Sequence, residues 1–333
     1  MIAVTHAGRP GVAGLSVTEL PTPSPGDGEV RVALAAAGLN RHELFLIDRR
    51  EEGAAPLVIG ADGVGTIDAV GAGVDDRLRG RSVLINPCVG WPRTDEVPEV
   101  PEILGGPRPG TFAEYVCVPE RNVHPVPPHL SVPEAAALGL AALTAYRGLF
   151  SRARLRAGEH LVVTGISGGV APIALAMAVA AGADVTVTSR SRAAADRALE
   201  LGADHAVVGN DNFDSALSRP ADVVFDSVGA AAFPAAVRAL RPGGRLVTFG
   251  ATTGAHVPMS LREIFFRQIE IIGTSMGSEE EFADMLDFVV RHSIRPVVDS
   301  VRPLTDAPAV LAEMAHAAGF GKIVFSTERN TGS

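Results

Sequence analysis

Residues 160–192 constrain the fold most, because they predict a strand, a glycine turn, a helix and a second strand in direct succession. The turn lies between an apolar run at 161–163 and an alanine-rich segment, and its glycines allow a tight bend and a close approach to a ligand. The free N–H groups and dipole of the following helix suit a pyrophosphate. The pattern therefore predicts a dinucleotide-binding turn at Gly165, Ser167, Gly168, Gly169 and Val170.

The second strand ends in hydroxyl and guanidinium side chains, Ser189, Arg190 and Arg192. A site for NAD usually has a carboxylate there, roughly 20 residues past the glycines, which binds the ribose 2′-hydroxyl. Arginine instead brings a fixed fork of charged donors that suits a 2′-phosphate. We therefore predict NADP(H) as the cofactor. The alternative is that Arg190 and Arg192 belong to a solvated basic turn.

Composition narrows the class of protein and of partner. A chain of 333 residues predicts roughly two domains, and the net charge of −9 argues against nucleic acid or an anionic membrane as a partner. We find no leader and no unbroken apolar run of about 18 residues, so we expect no membrane span. Cys88 and Cys117 are the only cysteines, which is consistent with the cytoplasm.

The two parts of the chain differ in the length and spacing of their apolar segments. Short apolar runs between Gly and Pro turns in residues 1–125 predict a β-rich, barrel-like domain. From about residue 133, helices and strands alternate, which predicts a parallel sheet covered on both faces. The predicted strands are 30–35, 64–70, 82–85, 113–118, 221–226, 245–250 and 269–275, and the predicted helices are 134–150, 170–182 and 279–292.

Further stretches carry a resemblance to a known family: GLNRHEL (38–44), VIGADGVGTIDAVGAGV (58–74), GTFAEYVCVPERNVHPVPPHLS (110–131) and EAAALGLAALTAYRGL (134–149). With the cofactor segment, the chain resembles the medium-chain dehydrogenase/reductase superfamily, in its zinc-type alcohol dehydrogenase-like and quinone oxidoreductase-like branches. The resemblance implies an α/β protein with a GroES-like β-rich barrel domain (1–125 and 271–333) and a Rossmann-type doubly wound parallel-sheet domain (126–270). It also implies hydride transfer at nicotinamide C4, a substrate cleft between the domains, and a homodimer that pairs strand 269–275.

The chain departs from that family where its zinc enzymes hold the catalytic metal. Those positions are Asn40, Ala61 and Leu140 here, with Asp62 at the position of a neighbouring Glu. Zinc requires about four N, S or O ligands, and Ala and Leu have no donor in their side chains. The stretch that corresponds to the structural zinc lobe, 86–110, keeps only Cys88. We therefore predict no metal.

Without a Lewis acid, hydrogen-bond donors must stabilise the charge that develops on the acceptor oxygen. The resemblance makes Asn40 the first candidate, because zinc-free relatives have a similar GLN stretch and its amide N–H suits a carbonyl or the nicotinamide ribose. His42 occupies the position of a proton relay, and an ordinary pKa of about 6.5 suits a general acid. The alternative for His42 is a partly buried, hydrogen-bonded histidine. Tyr115 is a further candidate donor, or else a packing residue.

The resemblance and the strand ends add further contacts. Thr144 lies in a segment that packs against the nicotinamide in the family, and the strand before Phe249 should direct its carboxyl end to the cofactor. Trp91 either stacks on a flat substrate or anchors its loop. The further predicted cofactor contacts are Thr144, Phe249, Gly250, Ala251 and Thr274, and the predicted cleft residues are Leu57, Asn86, Trp91 and Leu140.

These observations predict a zinc-independent, NADPH-dependent reductase that acts on an activated C=C bond (an enone or enoyl group) or a quinone. Its substrate would be small, hydrophobic and conjugated. A metal-free site is better suited to hydride addition to a polarised system than to oxidation of an unactivated alcohol. Two alternatives remain: a metal-free ketone or aldehyde reductase, and a non-redox binding or scaffold protein that retains the fold.

Overall fold

The computed structural model describes residues 1–209, 211–314 and 319–327. The chain divides into two compact units, Met1–Ala141 with Gly277–Ser333, and Ala142–Met276. Both boundaries lie later in the chain than the predicted ones at 125 and 270. The first differs because Ala135, Ala136 and Ala137 form one apolar cluster with strand residues of the first unit.

The strands are β1 (Ile2–His6), β2 (Leu15–Glu19), β3 (Glu29–Gly38), β4 (Leu57–Val58), β5 (Asp62–Val70), β6 (Ser82–Ile85), β7 (Cys88–Val89), β8 (Glu102–Ile103), β9 (Tyr115–Pro119), β10 (Val123–Pro125), β11 (His160–Val163), β12 (Asp184–Ser189), β13 (His205–Val208), β14 (Ala221–Asp226), β15 (Leu240–Thr248), β16 (Glu270–Gly273), β17 (Val298–Pro303) and β18 (Lys322–Ser326). The helices are α1 (Arg41–Arg49), α2 (Val132–Ala136), α3 (Gly139–Tyr146), α4 (Val170–Ala180), α5 (Arg192–Glu200), α6 (Phe233–Ala239), α7 (Leu261–Arg267), α8 (Glu279–Arg291) and α9 (Ala307–Met314). No helix within the described ranges has the length and apolarity needed to cross a bilayer.

The main sheet of the first unit has the order β10-β6-β5-β3-β18-β17, and β9 also pairs with β3. Buried and half-buried residues alternate along most of β3, as expected for a strand with one face on a core. β18 is antiparallel to β3, with Val324 opposite Gly38. Because Gly38 is also opposite Asp62 of β5, the start of β18 lies near the end of β3 and the start of β5.

The second unit contains a six-stranded sheet in the order β13-β12-β11-β14-β15-β16. All of its pairs are parallel. Counted within the unit, the order is third, second, first, fourth, fifth, sixth, which is the order of a doubly wound dinucleotide-binding sheet. The direction of winding reverses between β11 and β14, and ligands bind outside the carboxyl ends of the strands at such a point.

The predicted helix at 134–150 is interrupted. The structure has α2, then α3, then a π-helical turn at Arg147–Arg152. The N–H groups in the first turn of a helix have no acceptor within that helix, and the N–H of Leu140 donates instead to Asp62 Oδ1 at 2.6 Å. Gly139 permits this approach, since a Cβ there would lie 2.6 Å from the same oxygen.

Candidate active site

The predicted dinucleotide turn lies at the point where the sheet order reverses. Gly165 has a φ of +67°, a conformation that glycine adopts without strain. Its N–H donates to Thr188 Oγ1 of β12 at 3.3 Å, and the N–H of Thr164 donates to the carbonyl of Phe225 in β14 at 3.1 Å. The turn is therefore attached to both neighbouring strands.

The start of α4 suits a pyrophosphate. Gly169 is the N-cap, and among the described residues the helix start has no side-chain cap. A Cβ on the neighbouring Gly168 would meet nothing within 4 Å, so there is open space beside that residue. Uncapped N–H groups and the helix dipole attract an anion. The residues present therefore fit a nicotinamide dinucleotide.

The end of β12 is basic and held in a defined turn. Ser189 is buried, and its Oγ accepts from the N–H of Ser191 at 3.1 Å; Ser191 in turn caps α5. Arg190 and Arg192 are exposed, and neither has a carboxylate partner in the part of the chain that the structure describes. Arg192 lies in the first turn of α5, which has no acidic residue, so its charge opposes the helix dipole. A phosphate bound beside it would reverse that unfavourable interaction.

The other predicted cofactor contacts lie in the same unit. Thr144 is buried in α3, and Phe249 follows β15 with its ring stacked on Phe225 at 4.2 Å between centroids. Gly250 and Ala251 continue that loop, and a Cβ on Gly250 would lie 2.8 Å from the carbonyl oxygen of Ser227. The N–H of Thr274 donates to the carbonyl of Thr248, while its buried Oγ1 has no hydrogen-bond partner among the described residues.

Sequence reasoning missed Asp226, which holds the adjacent turn. Its buried carboxylate accepts from Thr164 Oγ1 at 2.5 Å, from the N–H of Val228 at 3.2 Å and from the N–H of Gly229 at 3.0 Å. Burial raises the pKa of Asp226, and these hydrogen bonds oppose the shift. A carboxylate directly after an apolar strand, at the predicted carboxyl edge of the sheet, is the pattern that indicates it.

A second group of predicted residues meets in the first unit. Asn40 precedes α1, and its Nδ2 donates to Asp62 Oδ2 at 3.0 Å. Its backbone N–H donates to Glu43 Oε2 at 2.7 Å, and the N–H of Ala61 donates to Glu43 Oε1 at 3.1 Å. With Leu140 donating to Asp62, all three positions that bear the metal in zinc relatives offer backbone N–H groups to buried carboxylates.

Lys322 of β18 completes this group. Its ammonium donates to Asp62 Oδ2 at 3.1 Å and also to Asn40 Oδ1. Both side chains of the pair are almost fully buried, at 3% exposure for Lys322 and 0% for Asp62. We call Asn40, Glu43, Asp62 and Lys322 the buried polar cluster. Its carboxylate oxygens all accept N–H groups, and a cation already lies beside Asp62, so this donor set does not fit zinc.

Lys322 and Glu43 were missed as well. Lys322 is the only lysine in the 333-residue sequence, and it opens an apolar strand in which a charge requires a partner. Those two facts are visible without a structure. The role of Glu43 is harder to see, because a Glu three residues after Asn40 also predicts an ordinary helix cap.

Burial is the largest cause of the pKa shifts of Glu43 and His42 in this region. It raises the pKa of Glu43 to about 7, with Lys322 lowering it and Asp62 raising it further. Burial also lowers the pKa of His42, while the charge of Asp62 opposes that shift. The Nε2 atom of His42 is buried without a hydrogen-bond partner among the described residues. Burial therefore favours the neutral imidazole of His42, and its Nε2 is free to bind a ligand.

The remaining candidates do not join the cluster. Tyr115 lies opposite Ala33 in the middle of β3, whereas Asn40 follows the end of that strand. The guanidinium of Arg31 lies 5.4 Å from the Tyr115 ring centroid. Leu57 is half-buried on β4. Asn86 is fully buried, and its Oδ1 accepts from the N–H of Cys88.

Trp91 has 1% exposure, and its indole N–H donates to the carbonyl of Arg93 at 2.8 Å. Its own carbonyl accepts from the N–H of Glu279 at the start of α8. The buried ring and the bound indole N–H fit the predicted loop anchor, whereas stacking on a substrate would require an accessible face of the ring. Within the described ranges, no three or more His, Cys, Asp or Glu side chains form a group that would hold a metal ion.

Comparison with known proteins agrees with both units. Residues 26–128 match the family model described as alcohol dehydrogenase GroES-like domain, and residues 169–291 match the one described as zinc-binding dehydrogenase. The zinc-type alcohol dehydrogenase-like protein YogA of Leptosphaeria maculans is 33% identical over 341 residues, covering 93% of this chain and 94% of that protein. The chain belongs to the medium-chain dehydrogenase/reductase superfamily.

It is an oxidoreductase of that superfamily, whose members use nicotinamide cofactors. The predicted combination of a GroES-like domain and a Rossmann-type domain is confirmed. The quinone oxidoreductase of Rattus norvegicus is 27% identical, covering 97% of this chain and 96% of that protein. The crystal structure of an NAD-dependent alcohol dehydrogenase superposes with a TM-score of 0.91 at 35% identity, covering 98% of this chain and 100% of that one.

Proposed function

We propose that this oxidoreductase works without zinc and uses NADPH to reduce an activated C=C bond of an enone or enoyl compound, or a quinone. The observation that carries the proposal is the buried polar cluster. The positions of the metal ligands are Asn40, Ala61 and Leu140, and their N–H groups are donated to Glu43 and Asp62. A site built in this way would work without a Lewis acid, and the second Nδ2 hydrogen of Asn40 would be the donor to a polarised acceptor.

The choice of NADPH rests on the end of β12. Arg190 and Arg192 are exposed and lack carboxylate partners in the described chain, and a 2′-phosphate supplies the missing anion. One structurally similar relative is an NAD-dependent alcohol dehydrogenase, so cofactor preference is a point to measure directly. The uncapped start of α4 would bind the pyrophosphate of either dinucleotide.

The residues of the first unit would stabilise charge and supply a proton. The nicotinamide, when bound, supplies a hydride to the β-carbon of the acceptor. Negative charge then develops on the acceptor oxygen, where an amide N–H of Asn40 would donate a hydrogen bond. The protonated ring of His42 would deliver one proton to the α-carbon of the enolate and become neutral, so that H⁻ and H⁺ are added across the double bond. Tyr115, Leu57, Asn86 and Trp91 have no step in this scheme.

The test is an acceptor panel with matched carbon skeletons. An enone, its saturated ketone, the corresponding aldehyde and a quinone are compared at equal concentrations with NADPH and with NADH. We expect turnover of the enone or the quinone with NADPH, in protein with negligible zinc by metal analysis. Faster reduction of the saturated carbonyls would favour the metal-free ketone or aldehyde reductase, and no binding of either nucleotide would favour the non-redox alternative. Stoichiometric zinc would overturn the metal-free scheme.

We also propose that the chain forms a homodimer through β16. This strand is the last in the sheet order of the second unit, and an unpaired strand edge pairs readily with another chain. Light scattering across a range of protein concentrations tests this, with a monomer at all concentrations as the contradicting result. The cytoplasmic location and the absence of nucleic-acid and membrane partners remain predictions from the sequence.

A further inference from the structure

Lys322 connects to Asn40 as well as to Asp62. The amide oxygen of Asn40 accepts from the Lys322 ammonium, and its Nδ2 donates one hydrogen to Asp62 Oδ2 at 3.0 Å. The second hydrogen on Nδ2 has no acceptor among the described residues. Asn40 is 7% exposed, so this N–H lies in a nearly dry environment.

The two charged neighbours fix which way the amide points. If the amide of Asn40 were flipped, its NH₂ group would face the ammonium and its oxygen would face the carboxylate, and both contacts would be repulsive. The observed orientation is thus set by Lys322 and Asp62 together. An amide whose oxygen binds a cation is also polarised, so its N–H is a stronger donor, and burial limits the screening of that effect by water.

Lys322 is the only lysine of the chain, and the other 28 of its 29 Lys and Arg residues are arginines. An ammonium is a compact point charge with three donors, whereas a guanidinium is a wide planar fork. The compact ammonium fits between Asn40 Oδ1 and Asp62 Oδ2, which both accept a hydrogen bond from Lys322 Nζ. A buried ion pair is weak evidence for stability in itself, since an apolar pair of similar size is often as stable.

We propose that Lys322 is a positioning residue of the reaction: its ammonium orients the Asn40 amide and strengthens the free N–H as a donor to the acceptor oxygen. This inference rests on the proposed function for its kinetic consequence. Its structural part, the polarised amide, does not depend on any substrate.

The first test is spectroscopic and needs no activity. Protein labelled with ¹⁵N-asparagine gives few side-chain amide resonances, and the loss of one in Asn40→Ser assigns Asn40. We expect a downfield proton resonance for the Asn40 amide in the wild type, which moves upfield in Lys322→Met and in the double variant Asp62→Asn/Lys322→Met. An Asn40 resonance at the same position in wild type and both variants would overturn the proposal.

The second test is kinetic and separates positioning from folding. Lys322→Met alone leaves Asp62 buried without its cation, and such a chain can fail to fold. The double variant removes both charges and keeps an acceptor for the N–H of Leu140, so it should melt close to the wild type. We expect its kcat to fall by about 10- to 100-fold, less than the roughly 10²- to 10³-fold cost of deleting an oxyanion donor outright, with an unchanged KM for NADPH. A folded double variant with the wild-type kcat would overturn the proposal, whereas wild-type protein with no reductase activity would overturn the proposed function and leave the spectroscopic test valid.

Discussion

The ammonium of Lys322 lies 3.1 Å from the carboxylate of Asp62, although the two residues are 260 positions apart in the chain. The register of three strands brings them together, because Gly38 of β3 is opposite both Val324 of β18 and Asp62 of β5. The contact between Lys322 and Asp62 therefore depends on the pairing of these three strands. Its burial makes the region sensitive to any change that removes a single charge.

Loss of Asp62 should be far more costly than loss of a surface carboxylate. Asp62→Ala leaves the Lys322 ammonium buried without its ion-pair partner, and we expect the free energy of unfolding to fall by about 3–5 kcal/mol. Urea unfolding measures this. Glu200→Gln is the matched control, because it removes a carboxylate from an exposed ion pair with Arg197, and its effect should stay below about 1 kcal/mol. Equal effects of the two substitutions would contradict the prediction.

Glu43 should make stability depend on pH between about 4.5 and 7. Burial raises its pKa from 4.5 to about 7 in the folded chain, where Asp62 of β5 and Lys322 of β18 face it and His42 lies on its own helix. The folded state thus holds the Glu43 proton more tightly than the unfolded state does. Its contribution is fully present below about pH 4.5 and is lost as pH rises through about 7.

The contribution of Glu43 that is lost from the free energy of unfolding is on the order of 3 kcal/mol. In urea unfolding from pH 4.5 to pH 8, this loss should appear as the difference in pH dependence between wild type and Glu43→Gln, since glutamine has no proton to lose. Both proteins keep His6, His42 and His124, whose lowered pKa values act in the opposite sense. Glu200→Gln should keep the wild-type slope. If Glu43→Gln and wild type have the same pH dependence, then Glu43 does not titrate in this range.

His42 should give turnover an acidic optimum. Burial lowers its pKa below 6.5, so the protonated ring is a minor species at pH 7. If that ring supplies the proton, kcat falls as pH rises through the lowered pKa. A profile of kcat from pH 5 to pH 8 measures this. His42→Gln should have a lower kcat that does not fall with rising pH. A wild-type profile that is flat over this range would exclude His42 as the acid.

The basic end of β12 should decide between the two nucleotides. The double substitution Arg190→Ala/Arg192→Ala removes the two unpaired guanidinium groups, so we expect the Kd for NADPH to rise at least about tenfold while the Kd for NADH changes little. Titrations by nicotinamide fluorescence measure both constants. Arg197→Ala is the control, because Arg197 lies on the same helix but already pairs with Glu200. A parallel loss of affinity for both nucleotides would place the two arginines outside the 2′-phosphate site.

Trp91 should report on loop packing and be insensitive to substrate. Its ring is fully buried, so Trp91→Ala should cost about 3–5 kcal/mol of unfolding free energy, and Trp91→Phe should cost less. As the only tryptophan, it should emit at a short wavelength typical of a dry site. Quenching of this emission by an aromatic acceptor, without unfolding, would restore the stacking role.

Local patterns were sufficient to predict the strand, turn and helix from β11 to β12. This run carries its own strand, turn and helix preferences within about 30 residues, so its secondary structure was predicted correctly. The buried polar cluster was predicted only in part. Asn40 and Asp62 came from the family resemblance, but their contact with Lys322 depends on strand register across most of the chain, which no local pattern encodes.

The break in the helix predicted at 134–150 also depends on a contact between residues that are distant in sequence. Its alanines and leucines favour one continuous helix, and the local sequence offers only Gly139 as a weak point. The break follows from Asp62, which takes the N–H of Leu140. A tertiary hydrogen bond to a buried carboxylate overrides a propensity that amounts to tenths of a kcal/mol per residue.

The split of the first unit has a consequence for biosynthesis. A ribosome makes residues 1–141 first, then the whole of the second unit, and only afterwards β18 with Lys322. At about 5–20 residues per second, the nascent first unit waits on the order of ten seconds or more before Lys322 can reach Asp62 and Glu43. The second unit is continuous in sequence and can pack while that wait lasts. On the ribosome, the buried polar cluster can therefore be completed only after β18 has been synthesised.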